Sequence, residues 1–253
     1  MRLDDRVAVI TGAAKGIGAG IAERFVEAGA AVVILDVDGD GAAAMAVKLS
    51  QRGPAMAIHG DVSNEEDVRQ AIARIVDQFG RLDVLVNNAG IEIAGSIPDY
   101  TEEQWDRQLG VNLKGAFLCA KYAIQRMRGR GGSIVNISSV HAFASYAGNA
   151  AYDASKAGML ALTRTLALEH GREGIRVNAI CPGYIDTPMM DDWLLTVPDK
   201  DSAMRQVLAV HPLGRIGTPR DVADAALFLA SNAASFISGA TLVVDGAMTV
   251  AGH

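Results

Sequence analysis

Short β-branched runs alternate with longer amphipathic segments along the whole chain. Seven such runs predict strands, at Val7–Ile10, Ala31–Leu35, Ala55–His59, Asp83–Val86, Ser133–Ile137, Ile175–Ile180 and Thr241–Val244. Several are apolar at successive positions, as expected when both faces of a sheet are covered. Apolar residues at three- and four-residue spacing predict helices at Ile17–Ala28, Glu65–Phe79, Glu102–Met127 and Tyr152–His170. The alternation predicts one α/β domain over residues 1–253, with a doubly wound, seven-stranded parallel sheet and helices on both faces.

Charge and composition argue against several classes of protein. Acidic residues outnumber basic ones, 29 to 23, for a formal charge of −6. No nucleic-acid partner is expected, because neutralising the phosphates of a nucleic acid requires clustered Lys and Arg. The short basic stretch at 126–130 is interpreted as a solvated helix end. Cys119 and Cys181 lack metal-ligand spacing, so we expect no disulfide framework and no bound metal. No apolar run suits a signal peptide or a membrane span, which favours a cytoplasmic location with no membrane partner.

A glycine-rich turn joins the first predicted strand to the first predicted helix. Residues 11–18 read TGAAKGIG. Glycine at positions Gly12, Gly16 and Gly18 would let backbone N–H groups approach a pyrophosphate at the helix N-terminus. The spacing is GxxxGxG, so it matches the common GxGxxG dinucleotide pattern only loosely. The turn alone is weak evidence, because any strand-to-helix corner favours glycine.

Asp36 strengthens the nucleotide interpretation. It follows the second strand, 18 residues beyond Gly18, where a carboxylate would accept hydrogen bonds from the adenosine ribose hydroxyls. Its charge would repel a 2′-phosphate and so favours NAD over NADP, although Lys15 favours phosphate mildly. The alternative is that Asp36 simply ends a strand.

Two polar turns, at 60–62 and 87–90, follow the third and fourth strands, where ligands bind in open α/β sheets.

A serine, a tyrosine and a lysine follow the fifth strand. Ser139 lies just beyond the strand, and Tyr152 and Lys156 share a helix face because they are four residues apart. A phenol has a pKa of about 10 and is a poor base at neutral pH, but a nearby ammonium would lower that pKa. Ser139 could then hold a substrate oxygen while Tyr152 gives or takes its proton. The Tyr–Lys spacing is common by chance and alone indicates a solvated helix face; its place after Ser139, in a chain with a glycine-rich nucleotide turn, favours the catalytic interpretation.

Taken together, these motifs resemble the short-chain dehydrogenase/reductase family, in its short single-domain branch. The matching stretches are TGAAKGIG, GDV, NNAG, GVNLKG, NISS, YDASK, PGYIDT and SGATLVVDG. They cover nearly the whole chain and occur in the family's order. The resemblance implies a Rossmann-like fold and an NAD(P)-dependent oxidoreductase that moves a hydride between nicotinamide and the carbon of a secondary alcohol or ketone. It also implies a homo-oligomer, commonly a tetramer.

The resemblance also implies roles for individual residues. Tyr152 would be the general acid/base, and Lys156 would bind the nicotinamide ribose and depress the Tyr152 pKa. Ser139, with Ser138 as its rival, would polarise the substrate oxygen, and Asn112 would hold a water that links Lys156 to solvent. Besides Tyr152 and Lys156, the implied cofactor contacts are Gly12, Lys15, Gly16, Ile17, Gly18, Asp36, Asp61, Val62, Asn88, Ala89, Ile185 and Thr187. With Asp36 at the ribose, the expected cofactor is NAD, and the hydride chemistry needs no metal.

The substrate is less clearly indicated. Candidate substrate-facing residues are His141, Tyr146, Tyr184 and Trp193, each of which also fits a packing or pocket-edge role. The irregular segment from Gly183 to about Arg215 fits a substrate lid or a plain surface insertion. The polar candidates and the predicted NAD site favour a sugar, a polyol or another small hydroxylated compound. The alternatives are a 3-oxoacyl thioester reductase, whose relatives usually prefer NADPH, and a non-catalytic nucleotide-binding scaffold.

Overall fold

The chain forms an α/β structure, described here from a computed structural model for residues 1–251. The strands are β1 (Val7–Thr11), β2 (Ala31–Asp36), β3 (Ala55–His59), β4 (Val84–Asn87), β5 (Gly132–Ile137), β6 (Ile175–Pro182) and β7 (Thr241–Val244). The helices are α1 (Gly16–Glu27), α2 (Gly39–Ser50), α3 (Glu65–Phe79), α4 (Glu102–Leu109), α5 (Gly115–Met127), α6 (Ala150–His170), α7 (Pro188–Thr196), α8 (Lys200–Ala209) and α9 (Pro219–Ala230). Every predicted strand is present within two residues of its predicted ends. The last two residues of the predicted domain, 252–253, lie outside the described residues.

The sheet is parallel throughout and has the strand order β3-β2-β1-β4-β5-β6-β7. This confirms the predicted doubly wound, seven-stranded architecture. The chain winds outward from β1 in both directions, because β1 pairs with β2 on one side and with β4 on the other. Ligands in open α/β sheets bind beyond the strand C-termini at such a reversal of strand order. The carboxyl ends of β1 and β4 therefore define the place to look for a site.

Helices cover both faces of the sheet, as predicted. On one face, α1, α2 and α9 pack against apolar side chains such as Ile10, Ile34 and Val135. On the other face, α3 and α5 pack against Val9, Leu85 and neighbouring residues. Side chains at successive strand positions thus enter opposite cores, which is why the strand sequences are continuously apolar.

The predicted single helix over Glu102–Met127 is interrupted. A π-helical turn at Gly110–Lys114 separates α4 from α5, with the Gly115 N–H bonded to the Gly110 carbonyl. At this point the helix passes so close to the loop after β3 that a Cβ on Gly115 would lie 2.8 Å from Cγ2 of Val62. A π turn accommodates one extra residue per turn and is frequent at functional sites. Here it contains Asn112, whose side chain is fully buried.

A chain of buried amides fixes helix α6 against the sheet. Asn87 on β4 donates from Nδ2 to Oδ1 of Asn136 on β5 at 2.8 Å. Asn136 in turn donates to the hydroxyl of Thr163 on α6 at 2.8 Å. Buried polar groups of this kind are costly unless paired, so the bonds favour one relative position of the two strands and the helix. The N-terminal half of α6, with Tyr152 and Lys156, is thereby held over the carboxyl end of β5.

Candidate active site

The glycine-rich turn after β1 adopts a conformation that requires glycine. Gly12 and Gly16 have φ values of 63° and 60°, in the left-handed region that side chains disfavour. A Cβ on Gly12 would also lie 2.7 Å from the Cα of Ala89. The turn after β1 and the turn after β4 therefore touch, as their shared position at the sheet reversal requires.

Two polar side chains hold these turns together. Asn88 donates from Nδ2 to the carbonyls of Thr11 and Gly12 at 2.9 and 2.8 Å. The Thr11 hydroxyl accepts from the backbone N–H groups of Asn88 and Ala89, each at 3.0 Å. Asn88 thus shapes the turn by these bonds, in addition to the cofactor contact predicted for it. Thr11 was not singled out from the sequence, although it opens the TGAAKGIG stretch.

The N-terminus of α1 is free to receive a ligand. Its N-cap residue Lys15 makes no side-chain cap bond, and the first turn contains no acidic residue. By contrast, Asp38, Asn64 and Thr101 cap the helices that follow them. Uncapped first-turn N–H groups are unsatisfied donors at the positive end of the helix dipole, which suits an anionic pyrophosphate. The residues present therefore fit a dinucleotide.

Asp36 lies at the expected ribose end of the same cleft. Its Oδ2 accepts from the N–H of Ala14 at 2.8 Å, and its Oδ1 accepts from the N–H of Asp38 at 2.9 Å. A carboxylate has about four lone-pair sites, so each oxygen can accept one more hydrogen bond. Asp38 and Asp61 line this end as well, with Lys15 as a nearby cation. Three carboxylates and one amine thus lie at this end of the cleft.

The remaining predicted cofactor residues also line the cleft. These are Gly12, Gly16, Ile17, Asp61, Val62, Asn88, Ala89, Ile185 and Thr187. Gly18 is buried behind the turn, where a Cβ would collide with the Gly12 carbonyl and the Asn88 amide. The Asp61 carboxylate accepts from Ser63 N–H and hydroxyl groups, both at 2.8 Å, so this loop is held rigidly at the cleft edge.

Tyr152 and Ser139 come together at the other end of the cleft. Both are largely buried and both line it. Burial raises the pKa of the Tyr152 phenol, the charge of Glu92 raises it further, and the Ser139 hydroxyl opposes the rise. The lowering of this pKa that the sequence suggested is therefore not produced by the protein's own residues, because desolvation of the phenolate outweighs the neighbouring groups.

The two candidate serines have different environments. The Ser138 hydroxyl donates to the Lys156 carbonyl at 2.8 Å, which fastens α6 to the end of β5. The Ser139 hydroxyl accepts from the His141 N–H at 3.2 Å and can still donate its proton. Ser139 is thus the serine with hydrogen-bonding capacity left for a substrate oxygen.

Lys156 is a buried amine held beside Tyr152. Its Nζ donates to the Ile137 carbonyl at 3.0 Å and lies 5.4 Å from the centre of the Tyr152 ring. Burial lowers the pKa of Lys156 from 10.5 to about 8. The amine is therefore still mainly protonated at neutral pH and titrates just above it.

Asn112 holds the loop after β4 in place. Its Oδ1 accepts from the Ile91 N–H at 2.8 Å, and its Nδ2 donates to the Ile91 carbonyl at 2.9 Å and to the Ser155 hydroxyl at 3.2 Å. Both N–H groups of the side-chain amide are therefore used by protein acceptors, and its oxygen accepts one bond. The water link from Asn112 to Lys156 stays a prediction.

His141 lies against Tyr152 and is fixed by an acid that the sequence analysis did not single out. The His141 ring meets the Tyr152 ring edge-on at 5.1 Å and stacks on Tyr146 at 4.5 Å. Its Nδ1 is 2.7 Å from Oδ1 of Asp153. Asp153 follows Tyr152 directly, and its other oxygen accepts from the Tyr146 N–H at 3.3 Å.

Helix α7 covers part of the cleft. Met189, Met190 and Trp193 line it from this helix, and the Trp193 ring lies 6.0 Å from the Tyr184 ring. Tyr184 also meets the buried His211 ring edge-on at 5.8 Å. The irregular segment predicted from Gly183 thus forms α7 and α8 and places a helix over the site, as a lid requires. Its movement stays a prediction.

Glu92 is the other titratable residue that sequence analysis missed. It lines the cleft together with His141 and Tyr152, and burial raises the pKa of its carboxyl group. Nothing in its short sequence context, IEIAG, distinguishes it from a surface glutamate, so only the folded position indicates a role.

Within residues 1–251, no group of three His, Cys, Asp or Glu side chains is arranged to hold a metal, and no helix is long and apolar enough to cross a membrane.

Comparisons with known proteins agree with this geometry. A family model described as enoyl-(acyl carrier protein) reductase matches residues 12–249. The meso-2,3-butanediol dehydrogenase of Serratia marcescens is 40% identical over 98% of this chain and 96% of its own. A succinyl-CoA-derivative dehydrogenase subunit, BbsD of Thauera aromatica, is 42% identical over 97% of each chain.

Solved structures show the same likeness. A putative short-chain alcohol dehydrogenase from Sinorhizobium meliloti superimposes with a TM-score of 0.93 at 36% identity, covering 98% of each chain. The aldohexose dehydrogenase of Thermoplasma acidophilum gives 0.89 at 38% identity, covering 98% of this chain and 96% of its own. With the parallel sheet, the glycine turn and the Ser139–Tyr152–Lys156 cluster, these matches establish that the chain belongs to the short-chain dehydrogenase/reductase family.

Proposed function

We propose that this protein is an NAD(H)-dependent oxidoreductase that transfers a hydride between nicotinamide and the carbon of a secondary alcohol or ketone. The observation that carries the proposal is one continuous cleft with Asp36 at one end and Ser139, Tyr152 and Lys156 at the other. As an enzyme of this family it uses a nicotinamide cofactor. The choice of NAD over NADP and the individual residue roles are part of the proposal.

The cofactor would lie along the sheet edge. The free N–H groups of the α1 first turn would bind its pyrophosphate, and Asp36 would accept from the adenosine ribose hydroxyls. Asp61 and Val62 would contact the adenine, and Ile185 and Thr187 the carboxamide. When bound, the nicotinamide accepts or supplies the hydride.

The chain's own residues manage the proton. In alcohol oxidation, Ser139 would hold the substrate oxygen, and Tyr152 would take the hydroxyl proton as the hydride leaves. Because burial raises the Tyr152 pKa, the phenol is a strong proton acceptor once ionised but resists ionisation. We assign to the Lys156 ammonium the role of offsetting part of that cost during turnover, since an adjacent positive charge stabilises a phenolate. The reverse proton movement serves ketone reduction.

We further propose a small hydroxylated substrate, such as a sugar or polyol. The relatives named for butanediol and aldohexose support this class, as do the polar groups of His141 and Tyr146 near Tyr152. A homotetramer, a cytoplasmic location and a single domain over residues 1–253 are proposed from the family resemblance and the sequence.

A 3-oxoacyl thioester reductase is the second candidate. The hydroxyacyl-CoA derivative in the name of the Thauera relative favours it, and the acyl carrier protein in the description of the family model is consistent with a thioester substrate. The acidic lining around Asp36 weighs against it, because the sequence resemblance associates that activity with NADPH. A higher kcat/KM with NADPH than with NADH would reverse this order.

The test is a panel assay of nicotinamide reduction at 340 nm. The panel contains sugars, polyols, simple secondary alcohols and 3-hydroxy acids, each with NAD and with NADP. Oxidation of one class with NAD preferred supports the proposal. A protein that binds NADH, as measured by its fluorescence, but oxidises no member of the panel would refute it.

A further inference from the structure

Glu92 lies between two backbone positions that buried amides hold in place. On one side, Asn112 makes two hydrogen bonds to the backbone of Ile91. On the other side, Gln108 accepts from the Ile93 N–H at 2.7 Å, and the Tyr100 hydroxyl donates to the Ile93 carbonyl at 2.9 Å. Asn112 and Gln108 are both fully buried. The loop after β4 is therefore fixed on both sides of Glu92, which lines the cleft.

The Glu92 carboxylate has no hydrogen-bond or ion-pair partner among residues 1–251. By contrast, the Asp153 carboxylate beside Tyr152 is bound to His141 and to the Tyr146 N–H. Glu92 is accessible from the cleft, yet enough protein surrounds it that burial raises its pKa. The charged or titratable groups near it include His141, Asp153, Lys156, Tyr152 and Tyr184.

Glu92 thus presents a hydrogen-bond acceptor with no protein partner, on a fixed loop, in the part of the cleft that also contains Tyr152. A substrate bound between Ser139 and Tyr152 would extend from its reacting carbon into the same cleft that Glu92 lines. A hydroxyl group of that substrate could donate to the carboxylate, whereas a substrate carboxylate in the same place would be repelled.

We propose that Glu92 is a specificity-determining residue, which accepts a hydrogen bond from a second hydroxyl near the reacting carbon and disfavours substrates with an anionic group there. This inference rests on the proposed function. It gives that function a substrate class: neutral compounds with neighbouring hydroxyl groups are preferred over simple alcohols and over hydroxy acids.

The experiment compares three alcohols that share a CH3–CHOH group: 2,3-butanediol, 2-butanol and 3-hydroxybutyrate. In the wild-type enzyme, kcat/KM should be highest for the diol, by about tenfold or more over 2-butanol, since a hydrogen bond to a charged acceptor is among the stronger ones. In Glu92→Gln, the diol should lose about tenfold, 2-butanol should stay within about twofold, and 3-hydroxybutyrate should gain.

Glu103→Gln is the matched control. It also removes one carboxylate that lines the cleft, but from exposed helix α4, and it should leave all three values unchanged. Equal loss on all three alcohols in Glu92→Gln, or no loss on the diol, overturns the role of Glu92. A wild-type enzyme that oxidises 2-butanol yet prefers 3-hydroxybutyrate to the diol also overturns it, while the proposed reaction stands. Failure on the whole panel of the preceding test overturns both.

Discussion

Replacing Asp36 with alanine should move the cofactor preference from NAD toward NADP. In the folded protein each Asp36 oxygen accepts one backbone N–H, from Ala14 or from Asp38. Each oxygen can accept one further hydrogen bond, which would suit the two ribose hydroxyls of NAD. A 2′-phosphate has no comparable donor and adds negative charge beside Asp36, Asp38 and Asp61.

The magnitude follows from two contributions. Two like charges 4 Å apart repel by about 1 kcal/mol in water and by about 4 kcal/mol at the effective dielectric of a protein surface. Asp36 is half-buried in an open cleft, so about 2 kcal/mol, or roughly a 30-fold gain for NADP, is expected on its removal. Loss of a charged acceptor should cost NAD about 1.5 kcal/mol, roughly tenfold. The NAD-to-NADP ratio of kcat/KM should therefore fall by about two orders of magnitude.

The assay is initial-rate kinetics with each cofactor at a saturating level of the best panel substrate. Asp40→Ala is the control, because Asp40 lies in the first turn of α2 but does not line the cleft. It removes the same charge a few residues away and should change the ratio by less than about threefold. An unchanged ratio in Asp36→Ala, or an equal shift in Asp40→Ala, would show that the carboxylate does not contact the ribose and would refute the reasoning.

Two further predictions concern the catalytic end of the cleft. Lys156→Met should abolish turnover. Burial lowers the Lys156 pKa to about 8, so between about pH 8 and 10.5 the unfolded chain binds more protons than the folded one, and the wild-type free energy of unfolding should rise with pH. Chemical denaturation at pH 7.5 and 10 should show this rise, on the order of 2 kcal/mol, in the wild type and not in the variant. Parallel pH profiles of the two proteins would contradict the assignment. Ser139→Ala should lower kcat by about 100-fold or more. Ser138→Ala loses the bond to the Lys156 carbonyl and should mainly lower the free energy of unfolding, by about 1 kcal/mol. If kinetic and thermal-melt measurements show the reverse pattern, Ser138 and not Ser139 holds the substrate oxygen.

The strands and the position of the cleft were predictable from sequence because they depend on local patterns. Continuous apolar runs identify strands buried on both faces, and polar residues just after those runs must meet at one sheet edge. The π turn at Gly110–Lys114 was not predictable, since apolar spacing continues through it. The turn leads into Gly115, which packs closely on Val62, a residue distant in sequence.

The site was predictable where a residue belongs to a motif and not where its role depends on tertiary contacts. Tyr152 and Lys156 were singled out by their spacing together with Ser139 and the glycine-rich turn, and Asp36 by its place at the end of its strand. Glu92 and Asp153 acquire significance only when folding brings β4, β5 and α6 together. The sign of the Tyr152 pKa shift also depends on burial, which residue spacing does not report.

The central claim is that Tyr152 transfers the substrate proton, and Tyr152→Phe tests it. Phenylalanine keeps the ring that packs against His141 and removes only the hydroxyl, so cofactor binding and thermal stability should stay near wild type. On the best panel substrate, kcat should fall by about 100-fold or more, the size usual for loss of a general acid/base. A Tyr152→Phe enzyme that retains wild-type kcat would contradict the account.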